Sequence, residues 1–497
     1  MTTIGIDLGT TNSVAAYHDG LRHELIEVGN GRTMLPSVVA AREEDGRFLV
    51  GAQAQKRIVR RDPRFVYSNI KRQMGQPFVD GEDYGVQIAN DGAGERAFVG
   101  PNGSLFAPEE LSAEILKVLK ASAERRLNGK VTGAVITVPA GFENNQVKAT
   151  MEAAKIAGFK RVEIMTEPEA AAIAYGFDKG KLSRLVVFDL GGGTFDVVLM
   201  NAGGGSVKTI DKDGNASLGG INFDARLINT IADRFQTSTG MDLRDKQIAM
   251  MKIAPAAEEA KIDLSSEPET EINVVNVALD TDSGQMMDVS EEISREEFEA
   301  SANDLIANAI EIADRMMSRA KRSPRQVDEV VLVGGMTRMP AVRKAVEDYF
   351  GSAKIRDSIS ADHAVAIGAA IRAAEKDKRL TGRASSTDIT AMAFGIEIEH
   401  NAFAQIIPKG APYGHVESVM ISTSTDDQSV IPIAILQGAD PKASSNAVLA
   451  RYDHKVTPGP AASQTVQLEM MVDENGVLMV AGEDKDSGEK FEVIGAS

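Results

Sequence analysis

The chain contains no cysteine, which excludes disulfides, thiolate catalysis and cysteine-based metal sites. Its six histidines are scattered and show no metal-ligand spacing. Positive charge is scarce as well: 54 Lys and Arg stand against 72 Asp and Glu, for a formal charge of −18. That balance argues against generic binding to nucleic acid or to an anionic membrane, and an acidic, soluble surface is its plainest meaning. No apolar run approaches the roughly twenty residues that a membrane span needs. The chain passes almost at once into the apolar run Ile4–Asp7, so neither a signal peptide nor a location outside the cytoplasm is expected. A Walker-type loop is absent. The segment Gly92–Ala97 loosely fits a dinucleotide fingerprint, but it follows no buried strand and reads as chance. No Ser-His-Asp triad or pair of glycosidase carboxylates stands out.

What is present is a repeated strand-into-turn pattern. Val186–Phe188 is apolar, as a buried strand would be. Asp189 follows, then Gly191-Gly192-Gly193, Thr194 and Asp196. Three glycines permit a tight turn whose N–H groups face an anion. Two carboxylates beside a phosphate imply a divalent cation. Read alone, a glycine-rich hairpin inside a core explains this stretch equally well. Residues 4–13 repeat the pattern as strand, Asp7-Leu8-Gly9 and small hydroxyl residues. Asp7 and Asp189 thus hold equivalent places in two units, as a duplicated fold would give. Two such turns facing across a cleft would clamp a triphosphate.

At 497 residues with 43% hydrophobic content, the chain suits a soluble protein of about two to four domains. Strands are expected at Val14–Tyr17, Gly133–Pro139, Val162–Met165 and Val330–Val333, the last entering Gly334-Gly335. Helices are expected over Glu109–Leu127, Asn145–Ala157, Phe223–Phe235, Glu258–Ser265, Glu296–Arg322 and Ile359–Ala374. Asn69–Gly75 is a basic island, read either as an exposed helix face or as a lysine aimed at phosphate. Glu167 precedes the alanine run Ala170–Ala172, either as a helix-start acid or as a site carboxylate. The strand–helix alternation to about residue 375 argues for parallel or mixed sheets covered by helices. Glu375–Thr390 is polar and reads as a linker. From Phe394 the pattern alternates with period two, with Asn475-Gly476 as a hairpin turn.

Ile4–Ser13, Asn69–Gly75, Val135–Pro139, Glu167–Tyr175, Phe188–Asp196, Leu218–Gly220 and Val331–Pro340 together resemble the seventy-kilodalton heat-shock chaperones of the DnaK type. More thinly, so do Ser422-Thr423, Asp427–Ser429, Leu436–Gly438 and Asp484–Gly488. The resemblance implies an α/β, actin-like, two-lobed ATPase domain over residues 1–378. A polar linker at 379–393 and a small β-sandwich peptide-binding domain at 394–497 would follow. Thr10, Thr11, Gly191, Gly192, Gly193, Thr194, Gly219 and Gly220 would hold phosphates. Asp7, Glu167, Asp189 and Asp196 would surround metal and water, with Asp7 and Asp189 binding the metal through water and Lys71 as catalytic lysine. Glu258, Lys261, Ser265, Gly334, Gly335, Arg338 and Asp362 would hold the adenosine. Phe403, Ile421, Ser424, Ile431 and Ile433 would line the peptide groove.

The cofactors so implied are ATP or ADP with Mg²⁺, and K⁺ beside them. The implied partners are unfolded or extended polypeptides, a J-domain co-chaperone and a nucleotide-exchange factor, with no nucleic acid and no membrane. Departures from the family pattern carry expectations of their own. Met336 stands where the family tends to be polar. Gly141, Asn144, Val147 and Met151 replace an aromatic residue and a charged cluster that couple ATP to peptide release. The linker keeps its acid, Asp388, but is polar before it, and no helical lid follows the β-rich part. The expected protein is a lidless chaperone-like ATPase with weakened coupling between its parts. A small-molecule kinase on the same core, and an actin-like protein or nucleotide-gated scaffold with one fixed partner, are the rival readings.

Overall fold

Ile4, Ile6, Val135, Ile136, Val186, Val187 and Phe188 are all fully buried, and they mark the strands around which the chain is arranged. The computed structural model describes residues 2–42, 46–60, 65–81, 87–177, 180–279, 284–380 and 385–495. Two six-stranded sheets share one connectivity over five of their strands. In the first, Thr2–Asp7, Asn12–His18 and His23–Leu25 form an antiparallel meander. Val131–Val138 and then Arg161–Thr166 add to it in parallel. In the second, Ser183–Leu190, Phe195–Gly203 and Ser206–Asn215 repeat the meander. Glu329–Val333 and Ile355–Arg356 add in parallel as before. The duplication read from Asp7 and Asp189 is therefore a duplication of whole sheets.

Small residues let two helices come close to these sheets. Glu167–Ala174 and Ala364–Lys376 share an apolar cluster with strands of both, including Val135, Leu185 and Val187. A Cβ on Gly368 would lie 1.8 Å from the Ala170 carbonyl oxygen, and one on Gly5 would lie 2.1 Å from the Ala370 nitrogen. Only glycine fits at either contact.

Two expected helices differ in extent. Glu296–Arg322 is two helices, Arg295–Ser301 and Asn303–Arg319, parted at Ala302 where φ is −108° and ψ is 5°. The buried positions Phe298, Ala302, Ile306 and Ala309 keep helical spacing across the break, so periodicity alone cannot reveal it. The helix expected from Ile359 starts at Ala364.

The linker also differs from expectation. Residues 381–384 lie outside the described residues, but Ser385–Thr387 forms a strand parallel to Ser206–Lys208 at the edge of the second sheet. A polar sequence can do this because an edge strand is held by backbone pairing and needs no apolar face.

From Ala393 the chain forms two four-stranded antiparallel sheets around one apolar core that holds Phe394, Ile396, Leu468 and Val480. Pro432 lies on Val430–Gly438, whose pairing with Ala393–Ile398 stops at Ile435. Its missing N–H thus falls where that side of the strand has no partner, as proline requires. This β module rests against the first sheet. Asn144 accepts from the Leu478 N–H at 2.8 Å, and the Asn144 N–H donates to Gln437 at 3.2 Å. The Ile164 N–H donates to the Asn475 side chain at 3.1 Å. Val477, at the hairpin tip, is buried in the first sheet's apolar cluster. Among the described residues no helix is long and apolar enough to cross a membrane.

Candidate active site

The two turns meet face to face. A Cβ on Gly192 would lie 2.0 Å from the Thr11 hydroxyl, and one on Gly193 would lie 2.6 Å from the Thr10 hydroxyl. Any side chain at 192 or 193 would drive the turns apart.

Each turn has its carbonyls tied back. The Ser37 hydroxyl donates to the Gly9 carbonyl at 2.8 Å, and the Ser37 N–H donates to the Thr11 carbonyl at 2.8 Å. In the second turn, the N–H groups of Gly220 and Ile221 donate to the Gly191 and Gly192 carbonyls, both at 2.9 Å. Arg72 donates to the Gly193 carbonyl through Nε at 3.0 Å and also through Nη2. The N–H groups of Gly192 and Gly193 make no hydrogen bond within the described residues. Polar groups so held, with carbonyls fastened and N–H groups left over, form a cradle for an anion. Gly219 belongs to the cradle's back wall, since its Cβ would lie 2.7 Å from the Gly193 nitrogen.

Behind the cradle sit the carboxylates. Asp189, Asp196 and Glu167 are 6%, 4% and 8% exposed, too enclosed for three free anions. Lys71 Nζ lies 2.7 Å from Glu167 Oε1 and 5.5 Å from the centroid of the Phe142 ring. Burial, and then the neighbouring Glu167, push Asp7 up to about 7. The same two causes push Asp196 up to about 7, although the Gly141 N–H at 3.0 Å opposes them. Burial, Glu167, Asp196 and Asp7 together raise Asp189 well above the usual carboxylate range. Buried like charges of this kind call for a cation. Among the described residues no three acids or histidines are grouped closely enough to ligate a metal directly.

The cleft continues as a cavity of about 560 Å³, lined by Asp7, Thr10, Thr11, Lys71, Glu167, Asp189, Gly191, Gly192, Thr194 and Gly220. Its far end takes in Glu258, Lys261, Ser265, Gly334, Gly335, Arg338 and Asp362. Lys261 pairs with Asp224 at 2.7 Å, and burial raises Glu258. Arg338 pairs with Asp362 and donates to the Ser360 hydroxyl at 2.9 Å. Gly334 has φ of +81°, with its Cβ position 2.3 Å from the Leu190 oxygen, so glycine is required there. Met34, Ile262 and Met336 supply apolar wall.

The structure therefore brings together nearly all the expected nucleotide residues. Gly193, Gly219 and Asp196 stand just behind the wall. Ser37, Arg72 and Thr137 also meet the site, although they are not among the residues expected there from the sequence. The Thr137 hydroxyl donates to Asp7 at 3.4 Å. Arg72 lay inside the basic island, but nothing in the sequence marks Ser37.

The expected peptide groove fares differently. Ile431 and Ile433 are each 2% exposed and belong to the β module's core, which corrects their assignment to a groove. Alternation along Val430–Gly438 marks a face, and here that face is the inner one. Phe403 and Ile421 are half-buried, and Ser424 is exposed with its N–H bonded to Gln428 at 2.8 Å.

A duplicated sheet pair thus carries two facing, glycine-lined turns over buried carboxylates. The family model described as Hsp70 protein matches residues 3–495, and the chain belongs to the Hsp70 family. Members of that family are ATPases that bind ATP or ADP with Mg²⁺, and they act as ATP-dependent chaperones for unfolded polypeptides together with co-chaperones.

Proposed function

We propose that this chain hydrolyses ATP in the cleft between its two sheets and uses the β module to bind extended polypeptide weakly. The observation that supports this most directly is the contact between Thr10-Thr11 and Gly192-Gly193, which leaves one place for one run of phosphates. Thr10, Thr11 and the Gly191–Thr194 turn would hold the phosphates. The far-end residues, with Arg338 against the base, would hold the adenosine. The donors suit Mg²⁺, which prefers oxygen ligands and keeps several waters, so Asp7 and Asp189 would hold it through water. When bound, the ion supplies charge neutralisation at the phosphates. Lys71 would neutralise charge on the transferring phosphate. Glu167 and Asp196 would orient water and accept its proton.

The proposed arrangement has two lobes in an ATPase domain at 1–378, a linker at 379–393 and a β-sandwich at 394–497. Phe403, Ile421 and Ser424 would contribute to peptide binding. The module's contacts through Asn144 and Asn475 are neutral hydrogen bonds, each worth about 1 kcal/mol, which supports weak coupling between nucleotide and peptide. The test is phosphate release from ATP with and without Mg²⁺, beside anisotropy of a labelled extended peptide. Mg²⁺-dependent turnover and micromolar or weaker peptide binding are expected, and absence of turnover would reject the reading.

A further inference from the structure

At the far end of the cleft, where the base would lie, most polar side chains are committed to other partners. Lys261 Nζ lies 2.7 Å from Asp224 Oδ1 and 3.4 Å from the Gly220 carbonyl oxygen. Arg338 is paired with Asp362 and donates to the Ser360 hydroxyl at 2.9 Å. The Ser266 hydroxyl donates to the Asp263 carbonyl at 3.2 Å. The Ser265 hydroxyl donates to the Lys261 carbonyl at 3.3 Å, a long bond that it can leave. A hydroxyl turns to accept from an amino group or to donate to a carbonyl, so Ser265 does not choose between them.

Glu258 stands one turn before Lys261 on the helix Gln247–Asp263, and both line the cavity. A carboxyl and an ammonium on one helix face suit the ribose hydroxyls, which every ribonucleotide shares. The rest of the wall is apolar. Met34 comes from the strand Met34–Pro36, Ile262 from the helix, and Met336 from the turn Gly335–Arg338. Met336 is 5% exposed and belongs to the apolar cluster of the second sheet, so its place in the wall is fixed. Its Cγ lies 3.5 Å from where a Cβ on Gly220 would stand, which sets it beside the second phosphate turn. A thioether adapts to whatever flat surface it meets and reads no hydrogen-bond pattern. The Arg338 guanidinium stacks on the face of any base.

We propose that Met336 makes this end of the cleft indifferent to the edge of the base, so that the chain takes guanine nucleotides as well as adenine nucleotides. Adenine presents an amino group where guanine presents a carbonyl. A site built to hydrogen-bond one of them rejects the other by about 10⁴-fold or more, because its own buried polar group is left unpaired. An apolar wall has no such group to strand, and it discriminates by about a hundredfold at most. The phosphates, where the chemistry occurs, are the same in both nucleotides. This inference deepens the reading of the cleft as an ATPase site and rests on it.

Equilibrium titration of the full chain with ADP and with GDP, each with Mg²⁺, tests it. GDP should bind within about a hundredfold of ADP, the ceiling for an apolar wall. Met336→Gln nearly keeps the side-chain volume and adds an amide, whose orientation the buried surroundings fix. It should move the ratio of ADP to GDP affinity about tenfold or more. Met336→Leu, a volume-conserving apolar exchange, should keep the wild-type ratio. Lost packing alone would weaken both nucleotides together and leave the ratio in place. A wild-type preference for ADP above about a hundredfold would overturn the inference, and so would an unmoved ratio in folded Met336→Gln. The wild-type ratio needs no variant, so the test stands even if Met336→Gln does not fold. A chain that binds neither nucleotide would instead remove the reading of the cleft itself.

Discussion

Lys71 and Glu167 form a buried ion pair at 2.7 Å, and each is costly without the other. Removing the lysine leaves Glu167 without its ion-pair partner among Asp7, Asp189 and Asp196. Lys71→Ala should therefore lower hydrolysis about a hundredfold or more, the scale of losing one aligned electrostatic group. Nucleotide affinity should change only a few-fold, since the cradles and the adenosine end are untouched. Phosphate release and equilibrium titration separate the two effects, and loss of binding would contradict the role assigned. The carboxylates also set a pH dependence. Asp7 and Asp196 sit at about 7 in the fold against about 4 in an unfolded chain. Their folded pKa is raised, so between about pH 4 and 7 the apo fold binds protons that the unfolded chain does not. Apo stability from these groups is greatest at low pH and falls as pH rises to about 7. Binding Mg²⁺ with nucleotide needs Asp7 ionised and must expel its proton below that point. The rise in melting temperature on adding Mg²⁺ and ADP should be larger at pH 8 than at pH 6. An equal or reversed rise would show that Asp7 does not meet the ion.

At the level of elements, the helix Ala364–Lys376 is clamped between the sheets by glycine contacts. Gly368→Ala would place a methyl against the Ala170 backbone, 1.8 Å from its carbonyl oxygen, and backbone cannot step aside as a flexible side chain does. Overpacking of this kind costs about 3 kcal/mol or more, so denaturant unfolding should show a lowered midpoint, and an unchanged one would mean the helix sits further away. Much of this layer was legible in the sequence. The two strand–turn copies stand out because buried parallel strands are continuously apolar and their turns need glycine. The alanine runs announce close helix packing. What was not legible followed from partners distant in sequence. Ser385–Thr387 joins a sheet edge by backbone alone, so its residues carry no signal. Ile431 and Ile433 alternate as a ligand face would, and only the second sheet across the core shows which way they point. Ser37 acts through one hydroxyl and one N–H on a turn about two dozen residues away.

Across the whole molecule, the β module touches the first sheet through Asn144, Asn475 and Val477, while Asp388 reaches the second. The hairpin tip at Val477 is buried in the first sheet's apolar cluster, so displacing the module must expose it. Beside these stand the Lys376–Glu474 pair at 3.9 Å and the Tyr413 ring 5.7 Å from Lys212, each a weak contact, and the free energy that nucleotide can transmit through them is small. The off-rate of a bound extended peptide should differ between ATP and ADP by less than about tenfold, equivalent to about 1.4 kcal/mol. Stopped-flow release of a labelled peptide measures this, and an acceleration of several hundredfold would contradict weak coupling.

The proposed function depends on two facing turns that would hold one set of phosphates. A crystal structure of the chain grown with Mg²⁺ and ADP tests this most directly. The diphosphate should lie between Thr10-Thr11 and Gly191–Gly193, with the base beside Arg338 and the ion near Asp7 and Asp189. A nucleotide bound anywhere else, or contacting only one of the turns, would contradict it.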